Sequence, residues 1–180
     1  MKPASYKIVL PGIGASSNRG ALGWCSVSLI FTENKTILFD TGSNDDREEF
    51  LLGLEKLKIN ISDIDIVFIS HLHYDHCCNI ELFDSADIMV SQRELEYVLA
   101  GEYKDNNDPY VPWAVVNYFS DRFWAVNDGE KIAKGVNAML LPGHTPGSAG
   151  LLLENEKTLF AGDAVKNAWD FTHAIPPRAI

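Results

Sequence analysis

Four side chains able to bind a metal fall within six residues, His71-Leu72-His73-Tyr74-Asp75-His76, in a chain that holds five histidines in all. Imidazole and carboxylate together suit zinc, with iron or manganese as alternatives. In a locally extended segment alternate side chains project to the same side, so His71 and His73 can share one ion while Leu72 points the other way. Asp75 and His76, after the chain turns, are available to a second ion close by. One isolated surface histidine is ordinarily just solvated; four ligand types in so short a run argue against that reading.

The elements around the cluster must present it. The apolar segment Ile64 to Ser70 reads as a buried strand running into His71, and open α/β sheets bind their ligands at the carboxyl ends of strands. Three other strand ends carry candidate groups: Asp40 in Phe39-Asp40-Thr41-Gly42, His144 in Gly143-His144-Thr145-Pro146-Gly147-Ser148, and Asp163 in Gly162-Asp163-Ala164. Each alone is ordinary turn chemistry. Their order along the chain is the informative feature.

A coarse reading supplies the rest of the scaffold. Trp24 to Thr32 and Thr36 to Asp40 form a hairpin around Glu33-Asn34-Lys35, and Asp46 to Lys58 has helical spacing with Phe50, Leu51, Leu54 and Leu57 on one face. Asp87 to Ser91 reads as a strand and Gln92 to Leu99 as a helix, with Ser91 as N-cap and Glu94 completing a capping box. Gly101 to Pro112 is polar and loop-like. Trp113 to Phe119 either lines the mouth of the site or forms an amphipathic helix with Trp113, Val116 and Phe119 or Tyr118 inward. Phe123 to Val126, Lys131 to Ala133, Val136 to Leu141, Ala149 to Leu153 and Thr158 to Phe160 read as strands of a second sheet, with Glu154 to Lys157 as a hairpin turn.

An Asp-Thr-Gly strand end, then His-x-His-x-Asp-His, then Gly-His-Thr-Pro-Gly-Ser, then Gly-Asp resembles the metallo-β-lactamase superfamily of metal-dependent hydrolases, over residues 24 to 165. The resemblance implies an α/β fold of the αβ/βα four-layer sandwich type. It also implies that His71, His73 and His144 hold one metal, that Asp75 and His76 hold a second, and that Asp163 bridges the two. Asp40 would steady the cluster through hydrogen bonds. Two divalent ions, zinc first among the candidates, would activate a water to hydroxide, which attacks an ester, lactone or thioester, with Asp75 orienting it and passing a proton to the leaving group. Tyr74 in the variable slot and the Gly-His-Thr-Pro-Gly-Ser loop look most like the lactonase and glyoxalase II branches. Tyr74, Trp169 and Phe171 are candidate substrate contacts, and the substrate is a small molecule.

The sequence departs from the family pattern after Asp163, where a further histidine ligand is expected on a later strand. His173 is the one histidine there, and it reads as an ordinary loop residue beside Pro176-Pro177. Residues 1–180 are accordingly expected to form one domain lacking the family's C-terminal elements, and the uncovered sheet would favour a homodimer. Two other readings stay open: a regulatory member that binds metal and catalyses little, and an iron-dependent oxidoreductase on the same scaffold.

Composition bounds the remainder. With 46% hydrophobic and 22% charged residues the chain has ample material for a core, and its formal charge of −10 opposes a nucleic-acid partner. The first residues, Met1 to Gly12, contain no apolar run of signal-peptide length, and no stretch suits a membrane span, which points to a cytoplasmic protein. Three cysteines, Cys25, Cys77 and Cys78, make no disulfide framework; Cys77 and Cys78 read as small residues packed behind the metal loop, with a thiolate ligand as the alternative.

Overall fold

The computed structural model describes residues 4–18, 20–21, 23–154 and 157–173. The chain runs through β1 (Ser5–Leu10), a short pair β2 (Ser16–Ser17) and β3 (Gly20–Ala21), then the hairpin β4 (Val27–Phe31) and β5 (Thr36–Phe39). It continues through α1 (Arg47–Leu57), β6 (Ile66–Ile69), α2 (Tyr74–Cys77), β7 (Asp87–Ser91), α3 (Gln92–Leu99), α4 (Glu102–Asp105), α5 (Trp113–Tyr118) and β8 (Phe123–Val126). Then come β9 (Lys131–Ala133), β10 (Val136–Leu140), β11 (Ala149–Leu153), β12 (Thr158–Phe160) and α6 (Ala168–His173). Among the described residues no helix is long and apolar enough to cross a membrane.

Two sheets carry the architecture. The first has the order β1-β4-β5-β6-β7-β8, antiparallel over β1, β4 and β5 and parallel from β5 to β8; the second, β12-β11-β10-β9, is antiparallel. The run Ile66-Val67-Phe68-Ile69 is apolar throughout because β6 is covered on both faces. Its alternate side chains go opposite ways. Val67 and Ile69 join Leu29, Leu38, Ile88 and Val90 against Phe50 and Leu54 of α1, Leu95 and Val98 of α3 and Val116 of α5. Ile66 and Phe68 join Ile30, Ile37 and Phe39 against Val136, Ala138, Leu151 and Leu153 of the second sheet. Each fully buried side chain of this kind contributes roughly 1.5–3 kcal/mol, and the layers therefore stack helix, sheet, sheet around one double-sided strand set.

Three expectations need correction. Phe123 to Val126 is a strand but pairs in parallel with β7, in register Ile88 to Phe123 and Ser91 to Val126, so it closes the first sheet and not the second. Leu51 lies on the solvent side of α1 at 40% exposure, while Phe50 and Leu54 face the core. Gly101 to Pro112 is not all loop, since it contains the short helix α4. The strands on either side of Glu154 to Lys157 pair in register, Leu153 opposite Thr158, although residues 155 and 156 of the expected turn lie outside the described residues.

The parallel strands matter most for function. Because β5, β6 and β7 point the same way, Asp40, the His71 to His76 segment and the start of α3 all emerge at one edge of the sheet. The second sheet delivers Gly143 to Ser148 from the end of β10, and Asp163 from the end of β12, to the same edge. The Ala149 N–H donates to the Ser70 carbonyl at 2.9 Å and ties the two sheets together there.

Candidate metal centre

The His71 to His76 segment leaves β6 extended and then enters α2, with His73 as its N-cap residue in β conformation. His71 and His73 thereby face the same side. Their rings lie 4.5 Å apart, centroid to centroid, and His144 closes the triangle at 4.7 Å from His71 and 4.8 Å from His73. Asp163 comes in on a turn that requires glycine: Gly162 has φ +52, and a Cβ there would stand 2.7 Å from the Ser70 Cβ. Asp163 then places one oxygen 3.5 Å from His76 Nε2 and the other 3.4 Å from His144 Nε2.

Two groups of potential metal ligands result, His71 with His73 and His144, and His71 with His76 and Asp163, each with its ligand atoms within 4.8 Å of one another. The fit to a cation has a direct physical sign. His71 Nε2, His76 Nε2 and His144 Nδ1 are buried without a hydrogen-bond partner, and a buried polar atom left unpaired costs roughly 1–3 kcal/mol. Of these, His71 Nε2 and His76 Nε2 belong to candidate ligands, and a metal would satisfy them; His144 turns its other nitrogen, Nε2, toward His73 and Asp163. Asp75, 18% exposed, stands at the side of this arrangement with Oδ2 3.6 Å from His76 Nε2.

Buried acids aim the imidazoles. Asp40, in the left-handed region at φ 60, accepts from His76 Nδ1 at 2.8 Å, from the Ser70 N–H at 2.7 Å and from the Ser70 hydroxyl at 2.8 Å. That backbone conformation costs a non-glycine residue of order 1 kcal/mol, and it seats the carboxylate beneath His76. Asp108 does the same for His73, accepting from Nε2 at 2.9 Å, from the Tyr97 hydroxyl at 3.0 Å and from the Tyr110 N–H at 3.1 Å. Holding Nε2 in this way leaves His73 Nδ1 as the ligand atom, and Nδ1 faces His144 Nε2 at 3.1 Å.

Glu94 departs from its sequence reading in an informative way. Ser91 caps α3 by accepting from the Glu94 N–H at 3.1 Å, which is one half of the expected capping box. The Glu94 carboxylate does not return to the cap. Fully buried, it accepts from the Leu72 N–H at 2.9 Å, between the two histidines, and from the Thr145 hydroxyl at 2.7 Å and the Gly147 N–H at 3.2 Å, beside His144. Gly147 makes this possible, since a Cβ there would lie 2.1 Å from the Glu94 nitrogen. One side chain thus fastens the two histidine-bearing segments to each other.

The electrostatics separate the histidines. Burial, reinforced by the neighbouring imidazoles and Lys166, holds His71 well below the ordinary imidazole range and brings His144 down to about 3, so both present neutral, metal-binding rings. Burial also opposes a charge on His76, but the neighbouring Cys25 and the surrounding Asp40, Asp75 and Asp163 outweigh it and hold its pKa well above the usual value. Burial would raise Asp163, yet His76 and Lys166 hold it far below the normal carboxylate range. A pocket that keeps a proton on a buried imidazole is one whose potential favours a cation.

A cavity of about 630 Å³ opens over these groups, lined by His73, Tyr74, Asp75, His76, Tyr110, His144, Asp163 and Lys166. Of the three candidate substrate contacts it includes Tyr74. Trp169 and Phe171 are 64% and 75% exposed and are not among the lining residues. The Trp113 to Tyr118 stretch does not reach it either: α5 buries Val116, while Trp113 stacks on Tyr103 at 6.1 Å and Tyr118 faces outward. His173 ends α6 instead of lying in a loop, stacks on Trp169 at 3.6 Å, and belongs to none of the potential ligand groups among the described residues.

Asp108, Glu94 and Cys25 stand in the candidate site, and the sequence reading did not place them there. Asp108 sits in a polar stretch indistinguishable from solvated loop. Cys25 lies with Asp40 and His76 in a third potential ligand group, its thiol pKa pushed up by burial. Cys77 and Cys78 are free and buried.

Comparison with known proteins fits this geometry. The metallo-beta-lactamase superfamily profile matches residues 22–173. The chain belongs to that superfamily. It is 28% identical over 142 residues to the Methanocaldococcus jannaschii protein named "Probable metallo-hydrolase MJ0296", a match covering 79% of this chain and 57% of that protein. It is 24% identical over 180 aligned residues to the N-acyl homoserine lactonase of Bacillus cereus, covering 85% of this chain and 68% of the lactonase. An N-acyl homoserine lactone hydrolase solved with N-hexanoyl-L-homoserine at its catalytic metal centre superposes with a TM-score of 0.71 at 20% identity, covering 98% of this chain and 81% of that one. This last likeness concerns the fold. The chain thus spans little more than half the length of its archaeal relative.

Proposed function

We propose that residues 1–180 form one domain acting as a metal-dependent hydrolase of carboxylic esters, lactones or thioesters. The observation that carries this reading is the pair of ligand groups sharing His71, in which His71 Nε2 and His76 Nε2 are buried without a hydrogen-bond partner. His71, His73 and His144 would hold one divalent ion, and His76 and Asp163, with Asp75 beside them, a second. Zinc suits this donor set. The ions, when bound, would supply a Lewis acid for the scissile carbonyl and a water acidified to near-neutral pKa.

The chain's own residues do the rest. Asp40 and Asp108 fix the tautomers and orientations of His76 and His73, so that each presents one defined nitrogen. Asp75 lines the cavity with an oxygen free of the imidazole triangle; it holds the attacking water by hydrogen bond, takes its proton at a carboxylate oxygen and returns it to the leaving oxygen or sulfur. Ile13, Trp24, Leu159 and Val165 are exposed apolar side chains that all line the same cavity, and they form a wall for an uncharged acyl or alkyl part of the substrate. The activities of the lactonase relatives point the same way.

The test is zinc reconstitution of the metal-free protein followed by assay against a panel of short-chain lactones, aryl esters and thioesters. Two zinc ions per chain and turnover of at least one of these bond classes are expected. Metal binding without turnover of any of the three would overturn the hydrolase assignment.

A further inference from the structure

Tyr110 lines the cavity from a stretch that reads in sequence as polar loop. Its ring stands 5.6 Å from the His73 ring, centroid to centroid, and 6.3 Å from the ring of Tyr74, with the two tyrosine planes inclined by 33°. Of the aromatic side chains lining the cavity among the described residues, it is the one whose ring packs on the imidazole of a candidate metal ligand.

The backbone holds that ring in place. The Tyr110 N–H donates to Asp108 Oδ1 at 3.1 Å, and its carbonyl accepts from the Tyr74 N–H at 2.9 Å, at the first residue of α2. Val111, the next residue, is buried in the helix-side core. The other oxygen of Asp108 accepts from His73 Nε2 at 2.9 Å. One carboxylate therefore sets both a ligand imidazole and the segment that carries Tyr110, so this part of the cavity wall is registered to the metal ligands. A tyrosine has only two side-chain torsions, and a ring fixed before the substrate arrives loses little freedom on binding.

Aromatic rings attract one another beyond the area they bury, in edge-to-face or offset contact. Ile13, Leu159 and Val165 offer aliphatic contact elsewhere in the same cavity, which suits an alkyl chain and does not discriminate a flat ring from a saturated one. Tyr110 and Tyr74 do. Because Tyr110 packs directly on a ligand imidazole, a ring that meets it must lie close to the scissile carbonyl, as in an arylacetyl group.

We propose that Tyr110, paired with Tyr74, is a specificity-determining residue of this site and selects substrates whose acyl part carries an aromatic ring close to the scissile carbonyl. The inference rests on the hydrolase reading above and deepens it by naming the substrate class.

The experiment titrates phenylacetate and cyclohexylacetate into the zinc-loaded protein and its Tyr110→Leu, Tyr110→Phe and Tyr74→Leu variants by calorimetry, with zinc content measured on the same samples. The two acids have the same linker and nearly the same size. The saturated ring is at least as apolar, so burial of area alone does not favour phenylacetate. Wild type is expected to bind phenylacetate about three- to tenfold more tightly than cyclohexylacetate, the scale of an aromatic pair. Tyr110→Leu should bring the two affinities to within about twofold of each other at unchanged zinc content, Tyr110→Phe should keep the preference, and Tyr74→Leu should reduce it. Equal binding of the two acids by wild type overturns the proposal, as does a preference that survives in Tyr110→Leu or Tyr74→Leu or is lost in Tyr110→Phe. Zinc loss in Tyr110→Leu that parallels the loss of preference overturns it too, since Tyr110 would then only brace His73. Failure of the hydrolase reading is separately visible, as a zinc-loaded wild type that prefers phenylacetate yet turns over none of the three bond classes.

Discussion

Replacing Glu94 by Gln tests whether the metal site is assembled by one buried carboxylate. Its Oε1 accepts from the Leu72 N–H, and its Oε2 accepts from the Thr145 hydroxyl and the Gly147 N–H. A carboxamide of the same shape has one acceptor oxygen. If that oxygen keeps Thr145 and Gly147, the amide NH2 faces the Leu72 N–H, donor against donor, and two buried groups are left unpaired. At about 1–3 kcal/mol for each unsatisfied group the loss is roughly 2–6 kcal/mol, reduced because a neutral amide escapes the burial penalty of the carboxylate. Burial does raise the Glu94 pKa, so that relief is real. A net cost of about 2–4 kcal/mol lowers the unfolding temperature by roughly 4–16 °C at this chain length. The more telling effect concerns metal. The Leu72 contact lies between His71 and His73, and the Thr145 contact lies next to His144, so releasing both lets the imidazole triangle open. Loss of such outer contacts typically weakens metal binding about 10–100-fold. Zinc affinity, measured by competition with a chromophoric chelator, should therefore fall in Glu94→Gln, and the cobalt-loaded variant should show an altered d–d absorption band. A variant with lowered unfolding temperature but zinc affinity within about twofold of wild type would refute the reasoning, because Glu94 would then support the fold without shaping the site.

Three further outcomes are expected. His144→Ala removes one corner of the triangle and should release most of the bound zinc, read by mass spectrometry of dialysed protein; unchanged zinc content and thermal stability would contradict the assignment. Asp75→Asn preserves size and should leave circular dichroism and the zinc held by His71, His73 and His144 intact while lowering ester or lactone turnover by about a hundredfold or more, the scale of lost general acid–base help; near wild-type turnover would move the base elsewhere. Asp108→Asn loses the charged acceptor that fixes His73 with Nδ1 inward, so zinc binding should weaken by at least about tenfold; an unchanged affinity would mean that packing alone sets the ring.

The short-range part of this protein is written in its residue order. Alternation and apolar runs identify the hairpin of β4 and β5, the strands β6 and β7, and the strands of the second sheet, because burial on one or two faces repeats every second residue. Ser91 announces the start of α3 because an N-cap acts within three residues. The cluster from His71 to His76 declares metal chemistry because its ligands are local neighbours. What the sequence leaves open depends on partners far along the chain. The residues of β8 are equally compatible with either sheet, and only the space beside β7 assigns them to the first. Glu94 satisfies the local rule for a capping box, yet three donors from segments 22 to 53 residues away claim its carboxylate in the folded protein. Asp108 lies 35 residues from His73 in a stretch that reads as solvated loop, and Trp169 and Phe171 stand close in sequence to Asp163 while their side chains face solvent. Periodicity encodes which face of an element is buried; it does not encode which distant polar group will be met there, and that choice is made only when the two sheets and their loops close around the site.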